Sequence, residues 1–171
     1  MNQAHVHLLL THLPIVGSLL GVLALLAGFA FRSEPVKRTA LGLFLFAALA
    51  AIPTFLTGEG AEEVVENLPG VQESLIGRHE DMASIFIWLI SGLGLLSLAT
   101  LAASFKSNSI SKALYAVTLV VSLAAMGVAT QVGATGGQIR HTEIGSATTQ
   151  ADAGQEGGGV YGGEQEERDE D

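Results

Sequence analysis

Four long apolar runs divide the chain: Leu8 to Phe31, Thr39 to Thr57, Met82 to Phe105 and Ile110 to about Thr135. Nearly all charges fall in the gaps or after the last run. At about 1.5 Å per residue, each run is long enough to cross roughly 30 Å of hydrocarbon as a helix. Lipid cannot satisfy backbone amides, so spans of this kind must be helical, and a connection as short as Arg32 to Arg38 makes neighbours antiparallel. The pattern predicts an all-α, integral membrane, antiparallel four-helix bundle over residues 1–145.

Composition agrees. Hydrophobic residues make up 49% of the 171 positions and charged residues only 15%, with a mean hydropathy of +0.45, outside the ordinary soluble range. The first run is expected to be retained, since no Lys or Arg precedes it and it exceeds the length of a signal-peptide core. Cysteine is absent, which excludes disulfides, thiolate metal sites and covalent c-type haem attachment. The net charge of -9 is concentrated in residues 146–171, where eight acids stand against one arginine. That Gly-rich acidic segment has no apolar period and is expected to be a disordered tail. No phosphate-binding glycine loop, nucleophile elbow or basic-aromatic patch occurs, so neither nucleic-acid binding nor an enzyme of those types is expected.

The distribution of basic residues predicts an orientation. Arg32, Lys37, Arg38, Lys106 and Lys112 lie in or beside the two connections on one side, against the single acid Glu34. That side is expected to be cytoplasmic, placing both termini in the periplasm of a bacterial inner membrane. The opposite side carries Glu59, Glu62, Glu63, Glu66, Glu73, Glu80 and Asp81 between the second and third runs.

All five histidines fall on that same outer side: His5, His7 and His12 at the first span, His79 before the third and His141 after the fourth. The first span can start in two ways. With Thr11 as N-cap, Pro14 sits in the first turn and His7 on an extended arm. With a start near residue 4, Pro14 is interior, and His7 points about 140° away from His12. Both readings place His12 near the first turn, facing the bundle. His79, Met82, Ala83 and Phe86 form one helical stripe at the head of the third span. The fourth span closes with Gly133, Gly136 and Gly137, whose missing side chains suit close approach of a helix or a flat ligand. Arg140, His141 and Glu143 follow, with Arg140 able to pair with Glu62 or a haem propionate.

The motifs HLLLTHLPIVG, Thr57-Gly58, Arg78-His79 and GGQIRHTEIG together resemble the bacterial four-helix membrane family known as domain of unknown function 2231, over about residues 5–145. The family's opening motif has two histidines five apart, the second followed one residue later by proline, as in His7, His12 and Pro14. Leu8 stands where the family usually has a proline after the first histidine, which leaves both His5 and His7 open as its equivalent. The resemblance implies fold and membrane location, not an activity.

Three functions fit the convergence of histidines. The first is a b-type haem protein with bis-His ligation, His12 with His79 as the leading pair and His7 with His141 as a second. Gly136, Gly137 and Arg140 would then serve the haem pocket, and electrons would pass between quinol and a periplasmic redox protein. The second is a non-haem site for Zn, Fe or Cu built from His7, His12, His79 and His141 with Glu62 or Glu80. The third is a structural role, as a homo-oligomer or a subunit of a membrane complex.

Overall fold

The computed structural model describes residues 2–106 and 109–141. Among the described residues all regular structure is helical: α1 (Gln3–Ala30), α2 (Glu34–Leu56), α3 (Gly58–Val65), α4 (Glu73–Ser104) and α5 (Ser109–Arg140). By length and composition α1, α2, α4 and α5 are each able to cross a membrane. The acidic segment 146–171 and Glu143 lie outside the described residues.

The first helix takes the longer of its two expected forms. Asn2 is the N-cap, its side chain accepting from the His5 amide at 3.0 Å, and Pro14 lies inside the helix and is buried. Thr11 is therefore no cap; its hydroxyl donates back to the Leu8 carbonyl at 2.9 Å. The α1–α2 connection closes with the Ser33 amide on the Gly28 carbonyl and the Arg32 amide on that of Phe29. This is a Schellman closure, whose penultimate position requires left-handed backbone. Arg32 occupies it with φ 52°.

Small residues bring α1 close to α2 and α2 close to α4. A Cβ at Gly21 would stand 2.5 Å from the Phe44 ring, and one at Gly94 would stand 2.5 Å from Ala48 Cβ. Side chains such as Leu25, Leu41, Phe44, Ile90 and Leu93 fill the interior, while Leu8, Leu49, Leu95, Val120 and the 81% exposed Trp88 face outward. This outward apolar surface is what a lipid-facing protein presents and a soluble one avoids.

Each end of the bundle has its own chemistry. At one end, Arg38 of α2 donates to the Ser104 carbonyl (2.9 Å) and hydroxyl (3.0 Å), tying the start of α2 to the end of α4. Lys37 pairs with Glu34 and lies 4.7 Å from the centre of the Tyr115 ring at the start of α5. The start of α2 and the end of α4 thus meet at one end. The start of α1 lies beside the end of α2 at the other end, where His7 meets Thr54 and Thr57.

The two halves repeat one another. Buried positions of α1 recur 72 residues later in α4: Pro14 with Phe86, Ser18 with Ile90, Gly21 with Leu93, Val22 with Gly94, Leu25 with Ser97, Gly28 with Thr100. Buried positions of α2 recur 78 residues later in α5: Ala40 with Thr118, Phe44 with Ser122, Ala47 with Ala125, Ala51 with Ala129. The helix faces are shared though most residue types are not. Hairpin α1–α2 and hairpin α4–α5 are two versions of one unit, packed together mainly through α2 and α4.

Candidate functional site

The repeat reaches its chemistry at His7 and His79, which also stand 72 residues apart. His7, half-buried on α1, places Nδ1 3.0 Å from the Thr54 carbonyl and 3.2 Å from Thr57 Oγ1, both on α2 or its C-cap. His79, half-buried on α4, places Nδ1 3.1 Å from the Val132 carbonyl and 3.2 Å from Thr135 Oγ1, both on α5. In each hairpin the histidine meets a carbonyl and, three residues on, a threonine hydroxyl. A glycine follows each threonine, Gly58 and Gly136.

A carbonyl oxygen only accepts, so both Nδ1 atoms must carry the proton. Each Nε2 then has a free lone pair and no hydrogen-bond partner among the described residues. Arg38 ties the start of α2 to the end of α4, so the end of α2, which His7 meets, and the start of α4, which carries His79, lie together at the opposite end. Two imidazoles from equivalent hairpins therefore gather at one end of the bundle, each oriented from behind.

The other expected site residues are placed differently. His12 is exposed, with Nδ1 bonded to the Leu8 carbonyl of its own helix at 2.8 Å. The expectation that it faces the bundle interior is corrected: a helix running from Gln3 turns His7 toward the end of α2, and five residues of helical rotation carry His12 to an open apolar groove at the α1–α2 surface, lined also by Val16, Gly17, Leu43 and Phe46. Of the expected leading pair, His79 is half-buried and His12 exposed; the half-buried histidine of α1 is His7. His141 is exposed beyond the end of α5, its amide bonded to the Gly137 carbonyl at 3.0 Å. His5 is exposed as well.

The four-histidine metal set is not assembled. Among the described residues no three His, Asp or Glu side chains are grouped to hold an ion. The reason is again helical phase, which separates His7 from His12, together with the position of His141 past the helix end. Glu62 does not pair with Arg140 but hydrogen-bonds Glu80, and this shared proton, with Glu80's charge nearby, raises the Glu62 pKa above the usual carboxylate value. Arg140 lies at a shallow cleft lined by Pro69, Gly70, Val71 and Ile139.

Gly136 has a specific use: a Cβ there would lie 3.0 Å from His79 Cε1 and 3.2 Å from its Nδ1. Its bare backbone seats the imidazole. Gly137 has no neighbour within 4 Å of a built Cβ and carries no such constraint. Sequence reading did not single out Thr54, Val132 and Thr135 as partners of the histidines. The available signal was the repeated Thr-Gly pair, Thr57-Gly58 and Thr135-Gly136, one at the end of each hairpin's second long helix.

No family model, curated protein or solved structure matches the chain.

Proposed function

We propose that the chain is a four-span antiparallel bundle of the bacterial inner membrane, of the family it resembles, with both termini periplasmic. In this reading it holds a b-type haem between His7 and His79 near the outer surface. The observation that carries the proposal is the matched pair of Nδ1–H bonds to backbone carbonyls, at 3.0 and 3.1 Å, one from each hairpin. Imidazoles that ligate a metal characteristically donate their second nitrogen in this way, which fixes the tautomer and raises the basicity of the ligating one.

The donor set favours haem over a bare ion. Two imidazoles without a third grouped ligand among the described residues make a poor site for a bare ion, whereas a haem, which would supply its remaining donors itself, could be held by His7 and His79 alone. Haem would supply one-electron chemistry, and bis-His ligation suits transfer because no coordination position is left open. The residues of this chain bind and orient: His7 and His79 offer Nε2, and Arg140 is a cation at the end of α5 suited to a propionate. Quinol is the proposed donor and a periplasmic redox protein the acceptor.

The test is a dithionite-reduced minus oxidised spectrum of the purified, haem-replete chain. A Soret band and a reduced α-band are expected, lost in His7→Ala and His79→Ala and retained in His12→Ala. Absence of both bands in the parent chain sinks the reading.

One observation favours a second reading, in which the histidines are structural. Each bonds across its own hairpin, so each also clamps two helices together without any ligand. In that case His7→Gln and His79→Gln act on stability separately and mildly.

A further inference from the structure

We infer that Thr57 and Thr135 are positioning residues that, as second acceptors behind Nδ1, hold the His7 and His79 rings in one orientation with Nδ1–H turned to the backbone and Nε2 left free for a ligand. The inference deepens the haem reading and rests on it for the presence and identity of the ligand. The decisive point is what each hydroxyl does with its own proton. Thr57 Oγ1 lies 3.0 Å from the Pro53 carbonyl and 2.9 Å from the Thr54 carbonyl, and donates to this backbone. Thr135 Oγ1 does the same with the carbonyls of Gln131 (2.9 Å) and Val132 (3.1 Å).

A hydroxyl whose proton is spent on its own helix has only lone pairs left to offer. Toward the imidazole it can act only as an acceptor. Each Nδ1 therefore faces two acceptors, a carbonyl and a threonine oxygen, and neither can donate to it while the back-bond holds. The Nε2–H tautomer would set the Nδ1 lone pair against both oxygens, so it is disfavoured at each ring. One carbonyl alone would leave the ring free to swing about its contact, whereas the second acceptor, 3.2 Å away in both hairpins, narrows the orientation. Two hairpins that share few residue types nonetheless keep the same acceptor pair behind the same ring.

The experiment uses the full chain in detergent, haem-free and labelled with 15N-histidine. Chemical shifts then distinguish protonated from unprotonated ring nitrogens, and His7→Gln and His79→Gln assign the two rings. The parent chain should show Nδ1–H at both. Thr57→Val and Thr135→Val, nearly isosteric, should leave Nδ1–H in place, because the carbonyl still only accepts, but shift and broaden the ring 15N signals of their own histidine, and not the other, as the ring swings about its single contact; Thr→Ser at either position should restore them. On loading with haem, each Val variant should bind about 10- to 100-fold more weakly, the usual cost of removing a partner behind a metal ligand. Its reduction potential should also rise, because a less basic imidazole stabilises ferric iron less. Unchanged helical circular dichroism confirms that the variants fold. Nε2–H rings in the parent chain, or Val variants whose ring 15N signals neither shift nor broaden, would overturn the inference. Ring signals that respond as expected in a chain that never gives a Soret band would sink the haem reading and leave the positioning role intact.

Discussion

His7 and His79 occupy equivalent places in two hairpins: each directs Nδ1 to a backbone carbonyl three residues before a Thr-Gly pair, at 3.0 and 3.1 Å. Equivalence of this kind has an energetic consequence when both rings grip one ligand. Removing either imidazole leaves the ligand half held, so the second removal costs little more. The double variant His7→Gln/His79→Gln should therefore lose little more haem affinity or haem-dependent thermal stabilisation than either single variant. A cycle of the four proteins, with and without haem, measures the coupling; simple additivity argues against a shared ligand.

The glycines behind the two rings differ in clearance, and this predicts an asymmetry. Gly136→Ala puts a methyl 3.0 Å from His79 Cε1, against a ring fixed by two acceptors, whereas Gly58→Ala makes an ordinary contact at 3.8 Å from His7 Cε1. Gly136→Ala should displace His79 and weaken haem binding severalfold or more, while Gly58→Ala should leave it within about twofold. Titration of haem into the two purified variants gives the comparison directly.

The four apolar helices were legible in the sequence because a span must be long, continuous and nearly uncharged, and nothing else in the chain looks like that. The basic residues of the two short connections pointed to a common end, and Arg38 of α2 does bind the end of α4 there. Rotation about each helix axis was not legible. The spans are apolar on most faces, so no strong amphipathic stripe indicated that His7 turns toward the end of α2 and His12 to the open groove beside it. The phase was set instead by the Asn2 cap and by packing of Gly17 and Gly21 on α2. The internal repeat was hidden for a different reason. Equivalent buried positions hold Leu25 and Ser97, or Phe44 and Ser122, because a larger side chain in one hairpin can be balanced by a smaller one elsewhere as long as total packing is kept.

The α2–α4 contact joins the two hairpins, and Gly94 is a point of close approach within it. Gly94→Ala would set the introduced methyl 2.5 Å from the Ala48 Cβ, with no flexible side chain to yield, so the helices must separate. A loss of about 1–3 kcal/mol is expected. Gly92→Ala is the internal control, since nothing lies within 4 Å of its Cβ and alanine favours the helix by up to about 1 kcal/mol. Opposite shifts in thermal midpoint in the same detergent would bear out both.

Arg32 holds the left-handed position of the α1–α2 closure with φ 52°, where a side chain crowds its own backbone. For an L-residue this costs roughly 1–2 kcal/mol, and glycine removes the penalty. Arg32→Gly should raise stability by about 1 kcal/mol, less the extra entropy of glycine in the unfolded chain. Arg32→Val, β-branched in the same backbone, should lower it, and the pair of thermal midpoints gives the sign in each case.

Glu62 and Glu80 share a hydrogen bond that requires a proton on one of them, and the Glu62 pKa is raised above the usual 4.5 for that reason first, then by the cost of desolvation and the charge of Glu80. The folded state binds this proton more tightly than the unfolded one. Its contribution to stability is therefore fully present below the ordinary carboxylate pKa and is lost as pH rises through the folded value, where two carboxylates are left facing each other. Glu62→Gln keeps a donor toward Glu80 at every pH and removes the repulsion. The variant should match the parent chain in acid and become the more stable of the two as pH approaches neutrality, by a small margin because the pair is solvent-screened. Thermal midpoints of both proteins across that range should diverge toward high pH; parallel curves would show that the two carboxyls do not share a proton.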